Sequence, residues 1–209
     1  MTQFKTASSP LLFLASFFMM LILSSSVSAK NSDIDVAEKH VVDVTTRIAN
    51  LLEQNKSQYV SDENALYAMV RREVLPLIDF NAMSKLALGK HWRTASPAQR
   101  TRFISAFREM LVKSYAKTMI KYTGAKIRSG NSAPNRKPGY FLIRTIVTPR
   151  GNSAISANYS LRKVNNDWKA YNVEIGGINL ITNFRTNFTR EVSAKGLNAL
   201  IARLEKAGR

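Results

Sequence analysis

The chain contains no cysteine. That excludes a disulfide framework, thiol catalysis and zinc–thiolate sites, and at this length an apolar core can form without covalent staples. Acidic residues are scarce: 14 Asp and Glu face 31 Lys and Arg, a formal charge of +17. Such an excess favours anionic partners. The sequence has no internal repeat, no nucleophile elbow, no metal-ligand cluster and no phosphate-cradling glycine loop. The apolar run Leu11–Leu23 falls short of the roughly 20 residues that a membrane-spanning helix needs.

That run has the surroundings of an export signal. Lys5 is the lone charge before it, serines 24, 25, 26 and 28 follow it, and Val27-Ser28-Ala29 then precedes Lys30. A charged start, a short apolar stretch and compact residues at the cleavage positions predict a secretory signal peptide over residues 1–29, cut near Ala29. An uncleaved anchor is the competing reading, and no charged stop-transfer flank supports it. Residues 30–209 then make one mature domain of about 180 residues, long enough to bury most of its surface on folding.

The first half of that domain reads as helix. Ile34, Ala37, Val41, Val44, Ile48 and Leu51 recur at spacings of three and four, one stripe on a helix over residues 33–54. Ser61 is placed to cap a second helix with the stripe Leu66, Met69, Val70, Val74 and Leu77, which Pro76 bends or ends. Asp79 caps a short third segment that Gly89 stops. Ser96-Pro97-Ala98-Gln99 is a capping box with proline at the first helical position. It opens a long helix whose apolar face is Phe103, Phe107, Met110, Leu111, Tyr115 and Met119, with Gly124 positioned to end it.

From residue 125 the period becomes two. Residues 125–128, 140–148, 153–163 and 168–175 read as four strands with short, turn-rich connections, which predicts an antiparallel meander. Strict alternation in the last strand puts Tyr171, Val173 and Ile175 on the buried face, with Trp168 and Ala170 on the other. Gly176-Gly177 hands over to helical patterns through Phe184 and Phe188, broken at Gly196 and resumed through Leu204. The expected fold is therefore α+β: N-terminal helices and a long capped helix packed on a four-stranded antiparallel sheet, closed by C-terminal helices.

Two other function classes fit parts of the pattern. A helix-covered sheet can house a small isomerase or dehydratase site, and His40 with Asp43, or His91 beside Trp92, are the candidates. His40 and Asp43 have the spacing of a surface pair on an amphipathic helix, and His91 falls in a polar turn. Nucleic-acid binding is suggested by the charge and by 10 Phe, 7 Tyr and 2 Trp. The export signal argues against it, as does the placement of the aromatics on apolar faces instead of among exposed cations.

Two blocks carry a family resemblance. The first runs from Val74-Leu75-Pro76 through Asp79-Phe80 and Met83 to Leu88-Gly89-Lys90-His91-Trp92-Arg93-Thr94-Ala95-Ser96-Pro97-Ala98-Gln99-Arg100, with Phe103, Phe107, Leu111 and Tyr115. The second comprises Trp168, Tyr171, Gly177-Ile178-Asn179-Leu180, Asn183-Phe184-Arg185, Phe188, Gly196, Leu200-Ile201 and Leu204. In order and spacing they resemble the MlaC, or toluene-tolerance (Ttg2-type), family of periplasmic phospholipid-binding proteins. Asn179 stands where the pattern has serine and Phe184 where it has tyrosine, which removes two hydroxyls and keeps the apolar frame.

The resemblance implies a monomeric, non-enzymatic periplasmic carrier with no cofactor and no metal. It would bind phospholipid in an internal hydrophobic cavity and shuttle it between an outer-membrane lipoprotein–porin complex and an inner-membrane ABC transporter with a mammalian-cell-entry-type subunit, maintaining outer-membrane lipid asymmetry. The energetics make such a carrier necessary. At about 0.8 kcal/mol per CH₂, one sixteen-carbon chain costs on the order of 12 kcal/mol to expose to water. The candidate lining is the inward sheet face, with Ile143, Tyr159, Leu161, Tyr171, Val173 and Ile175, and the segments covering it. Those supply Leu75, Ile78 and Met83, then Phe107, Leu111 and Tyr115 of the long helix, and Ile178 and Ile181 after the double glycine.

Overall fold

Residues that can cap a helix mark out the architecture. In this computed structural model, which describes residues 25–209 and the side chains from residue 33 onward, α1 (Ser25–Gln54), α2 (Lys56–Ser61) and α3 (Glu63–Glu73) come first. The leader expected over residues 1–29 falls mostly outside the described residues. Asp62, not Ser61, caps α3: its carboxylate accepts from the amides of Asn64 at 2.9 Å and Ala65 at 3.2 Å. Ser61 closes α2 instead, its hydroxyl donating to the Ser57 carbonyl at 3.0 Å. A charged acceptor in extended backbone is the stronger cap.

Past a 3₁₀ turn at Leu75–Leu77, α4 (Phe80–Leu88) starts under the Asp79 carboxylate, which accepts from the Ala82 amide at 3.0 Å. His91, expected in a polar turn, opens the short helical turn α5 (His91–Thr94). The capping box opens α6 (Pro97–Met119) as expected, with Gln99 N–H to Ser96 Oγ at 3.2 Å and Ser96 N–H to Gln99 Oε1 at 2.9 Å. Gly124 is not the immediate end of α6, because a 3₁₀ turn at Ile120–Tyr122 intervenes. Its φ of 60° lets its N–H reach the Ala49 carbonyl at 3.2 Å, tying this corner to α1.

The sheet comprises β1 (Lys126–Ser129), β2 (Ala133–Pro134), β3 (Tyr140–Thr148), β4 (Ile155–Val164), β5 (Asp167–Ile175) and β6 (Ile178–Asn179). The order is β1-β3-β4-β5-β6 with β2 also on β3, every pair antiparallel. The four expected strands are present, and two two-residue strands extend the sheet. Gly176 and Gly177 form the β5–β6 turn with φ of 57° and 80°, which glycine adopts without steric cost. Then α7 (Leu180–Lys195) starts under the Asn179 side chain and gives way at Gly196 to α8 (Leu197–Ala207).

A bulge in β5 overturns the strict alternation. Ser160 pairs with Asn172 but Leu161 pairs with Ala170, so Tyr171 is the extra residue and the side-chain phase inverts across it. Trp168 and Ala170 on one side of the bulge, and Val173 and Ile175 on the other, share the inward face. Trp168 and Ala170 are buried against Phe141, Ile143 and Leu161 with Ala37 and Val41 of α1. In α1 the stripe ends on buried Leu52, not on Leu51.

Two apolar regions lie beneath the helices. Phe103, Phe107, Leu88, Phe188, Leu200, Ile201 and Leu204 are essentially without exposed surface where α4, α6, α7 and α8 meet. The other region lies between the inner sheet face and α1, α3 and the far half of α6.

Candidate functional site

The second region is not filled. One cavity of about 150 Å³ lies among α3, α4, α6 and α7, lined by Val70, Phe107, Leu111, Tyr115, Val173 and Phe184 among others. A second of about 270 Å³ lies between α1 and the sheet, with Val41, Val44, Leu161, Trp168, Ala170 and Val173 in its wall. The third, about 170 Å³, is bounded by Ile48, Leu52, Ala125, Ile127, Val147 and Ala157.

Shared walls make these three lobes of one hollow. Met119 faces all three, Val74, Ile78 and Val173 face the first two, and Ile48, Tyr159 and Ile175 face the second and third. Only together do they fall in the range of roughly 300–1,000 Å³ typical of ligand pockets.

The hollow is apolar and uncharged. Among the described residues no Lys, Arg, Asp or Glu lines any lobe, and His40 at the edge of the second is the one titratable group besides tyrosine. The interior hydroxyls are occupied: Thr45 donates to the Val41 carbonyl at 2.7 Å and buried Thr145 to the Ala157 carbonyl at 2.9 Å. Burial pushes the Tyr159 hydroxyl above its ordinary pKa, opposed by hydrogen bonds with Thr45 and Thr145. It therefore stays neutral in the physiological range. The rim is apolar too, with Tyr115 42% and Ile175 37% exposed. Such a space can hold hydrocarbon and cannot stabilise a charge, so a charged group on an occupant would have to remain in water.

All but three of the expected lining residues border the hollow. Leu75, Met83, Phe107, Leu111, Tyr115 and Ile181 line the first lobe, Leu161 the second, and Ile78, Tyr159, Val173 and Ile175 two lobes each. Ile143 instead lies in the packed seam under α1 with no exposed surface. Tyr171, displaced by the bulge, meets Tyr140 edge-on at 5.6 Å away from the hollow. Ile178 projects from the double-glycine turn. Pattern reading missed Val41, Val44, Thr45 and Ile48 of α1 as wall, together with Met119 and Phe184. All but Thr45 belonged to stripes already recognised as buried, and that was their only signal.

The enzymatic candidates do not assemble. Asp43 pairs with Lys39 at 2.5 Å on the exposed side of α1, whereas His40 borders the hollow. His91 Nε2 is buried without a hydrogen-bond partner, in α5 outside the three lobes. Among the described residues no group of three or more His, Cys, Asp or Glu could hold a metal, and no helix is long and apolar enough to cross a membrane.

A family model described as "MlaC protein" matches residues 42–206. The intermembrane phospholipid transport system binding protein MlaC of Haemophilus influenzae is 24% identical over 159 residues, 75% of this chain and 74% of that protein. The toluene tolerance protein ttg2D of Pseudomonas putida is 28% identical over 155 residues, 73% of this chain and 71% of that one. Among solved structures, a phospholipid-binding protein from Ralstonia solanacearum, determined in complex with a phospholipid, shares the fold with a TM-score of 0.74 at 19% identity. That match covers 82% of this chain and 96% of the other.

Proposed function

The chain belongs to the MlaC family, and from that premise we propose that it carries phospholipid, holding acyl chains in the three-lobed hollow with the headgroup outside. The observation that carries this reading is the uncharged, jointly lined space between the sheet and α1, α3, α6 and α7. Its dry walls remove the cost of about 0.8 kcal/mol per CH₂ that an acyl chain meets in water, and no covalent step is involved. The names of the Haemophilus influenzae and Pseudomonas putida relatives, and the phospholipid in the Ralstonia solanacearum structure, support the ligand class.

Lys5, the apolar run Leu11–Leu23 and Val27-Ser28-Ala29 support export of the chain to the periplasm. Residues 1–29 are the export signal, residues 30–209 the mature periplasmic domain, and the cargo moves between the outer-membrane lipoprotein–porin complex and the inner-membrane ABC transporter with its mammalian-cell-entry-type subunit. The test is native mass spectrometry of protein purified from the periplasm, followed by lipid extraction. Near-stoichiometric phospholipid is the expected result; an empty protein that also refuses lipid from vesicles contradicts the reading.

A further inference from the structure

On the outer side of the hollow's wall lies a second, quite different cleft of about 570 Å³, bounded by the end of α3, the 3₁₀ turn with Pro76, α6 and the β4–β5 hairpin. Leu75, Ile78 and Phe80 line both this cleft and the first lobe, so a single layer of side chains separates them. The cleft has an apolar floor, extended by Ile104 and Val164, and a charged margin.

Its charges do not balance. The Asp79 carboxylate is taken by Arg162, whose Nε donates at 2.6 Å, and Glu109 is taken by Arg71 at 2.6 Å. Among the described residues Arg108 and Lys169 have no carboxylate partner. Arg108 is held in place by stacking, with its guanidinium 4.9 Å from the Phe80 ring centre. Two unpaired cations over an apolar floor are complementary to carboxylates alternating with apolar side chains.

We propose that this cleft docks an acidic, partly apolar peptide segment of a partner protein, with Arg108 and Lys169 receiving its carboxylates and the Leu75–Ile78 wall its apolar side chains. A headgroup of the carried lipid is the less suitable occupant. The apolar rim of the hollow is at Tyr115 and Ile175, whereas Phe80, between hollow and cleft, is only 6% exposed. Because the wall is shared, a docked segment presses on residues that also face the hollow, which places partner binding one side chain away from the cargo.

The test is a titration of the lipid-loaded mature protein with a short peptide alternating glutamate and leucine, followed by NMR shifts and calorimetry. Saturable binding with shifts centred on Arg108, Lys169 and Ile104 is expected. Affinity should fall at least about tenfold in Arg108→Glu/Lys169→Glu, less in the neutral Arg108→Gln/Lys169→Gln pair that guards against misfolding, and not at all in Arg190→Glu/Lys206→Glu on other helices. A factor of ten corresponds to about 1.4 kcal/mol. Absence of saturable binding overturns the proposal, as does equal weakening by the remote reversals, which would mean diffuse attraction to a basic surface. Loss of bound lipid from the native mass spectrum of the double variant also overturns it, since the cleft would then be a headgroup site. A protein that binds the peptide at the cleft yet never carries lipid upholds the cleft and refutes the carrier reading.

Discussion

The two halves of α6 carry the same kind of apolar stripe and face opposite surroundings. In the first half Phe103 and Phe107 stack at 5.6 Å and meet Phe188 edge-on at 5.7 and 5.5 Å, in a cluster of buried side chains from α4, α6, α7 and α8. In the second half Leu111, Tyr115 and Met119 look into the hollow. The divide falls where α8 runs out. Gln99 bonds Asn198 and Arg102 bonds Glu205, each at 3.0 Å, and Gly208 closes against Glu109 and Met110. Beyond Met110 no α8 side chain is left to fill the space. Phe107 is the partition, belonging to the filled cluster and to the wall of the first lobe.

Truncation should separate the halves most sharply. Phe103→Ala should cost about 3–5 kcal/mol of stability in urea unfolding, with lipid per folded molecule unchanged; a cost below about 1 kcal/mol would mean that the first half is not filled. Asp79→Asn comes next. Its carboxylate is 5% exposed, caps α4 and pairs with Arg162, so losing the charge should cost roughly 2–3 kcal/mol.

Filling the hollow should do the reverse. Met119→Trp puts bulk where the three lobes meet and should displace most of the bound lipid while changing stability by less than about 1.5 kcal/mol. A large destabilisation would mean that Met119 is ordinary core. The smallest effect concerns the filled side, where hydrogen bonds from Arg203 hold the Glu191 carboxyl below its usual range. A depressed folded-state pKa adds stability that is present above the ordinary carboxylate pKa and is lost as pH falls through the folded one. Arg203→Ala should therefore weaken the protein by up to about 1 kcal/mol near neutrality, and the difference should shrink in acid. A difference that grows on acidification would contradict the pairing.

Helix boundaries with a chemical signature were legible in the sequence: the Ser96–Gln99 box, the Asp79 cap and the Gly196 break all stand where local patterns put them. The four long strands and the α+β class were legible from the change of period. The phase of β5 was not, because a bulge adds one residue without altering composition, and the error fell on Tyr171 and Trp168. Nor was the boundary between filled and hollow. Periodicity reports which side chains face inward, and Ile143 and Val173 both do, although one is fully buried in the seam under α1 and the other, half-buried, faces open space. Whether space remains depends on where a distant helix such as α8 ends, which no local pattern encodes.

The chain's 2 tryptophans report on the two regions separately. Trp168 lines the second lobe, while Trp92 packs on the filled cluster with Arg100 over its ring. Fluorescence of Trp92→Phe and Trp168→Phe proteins loaded with phospholipid brominated along its tails therefore tests the central claim directly, since bromine quenches only at close range. Strong quenching of Trp168 with little change in Trp92 is the predicted result; quenching of neither, or of both alike, would contradict acyl chains lodged in the hollow.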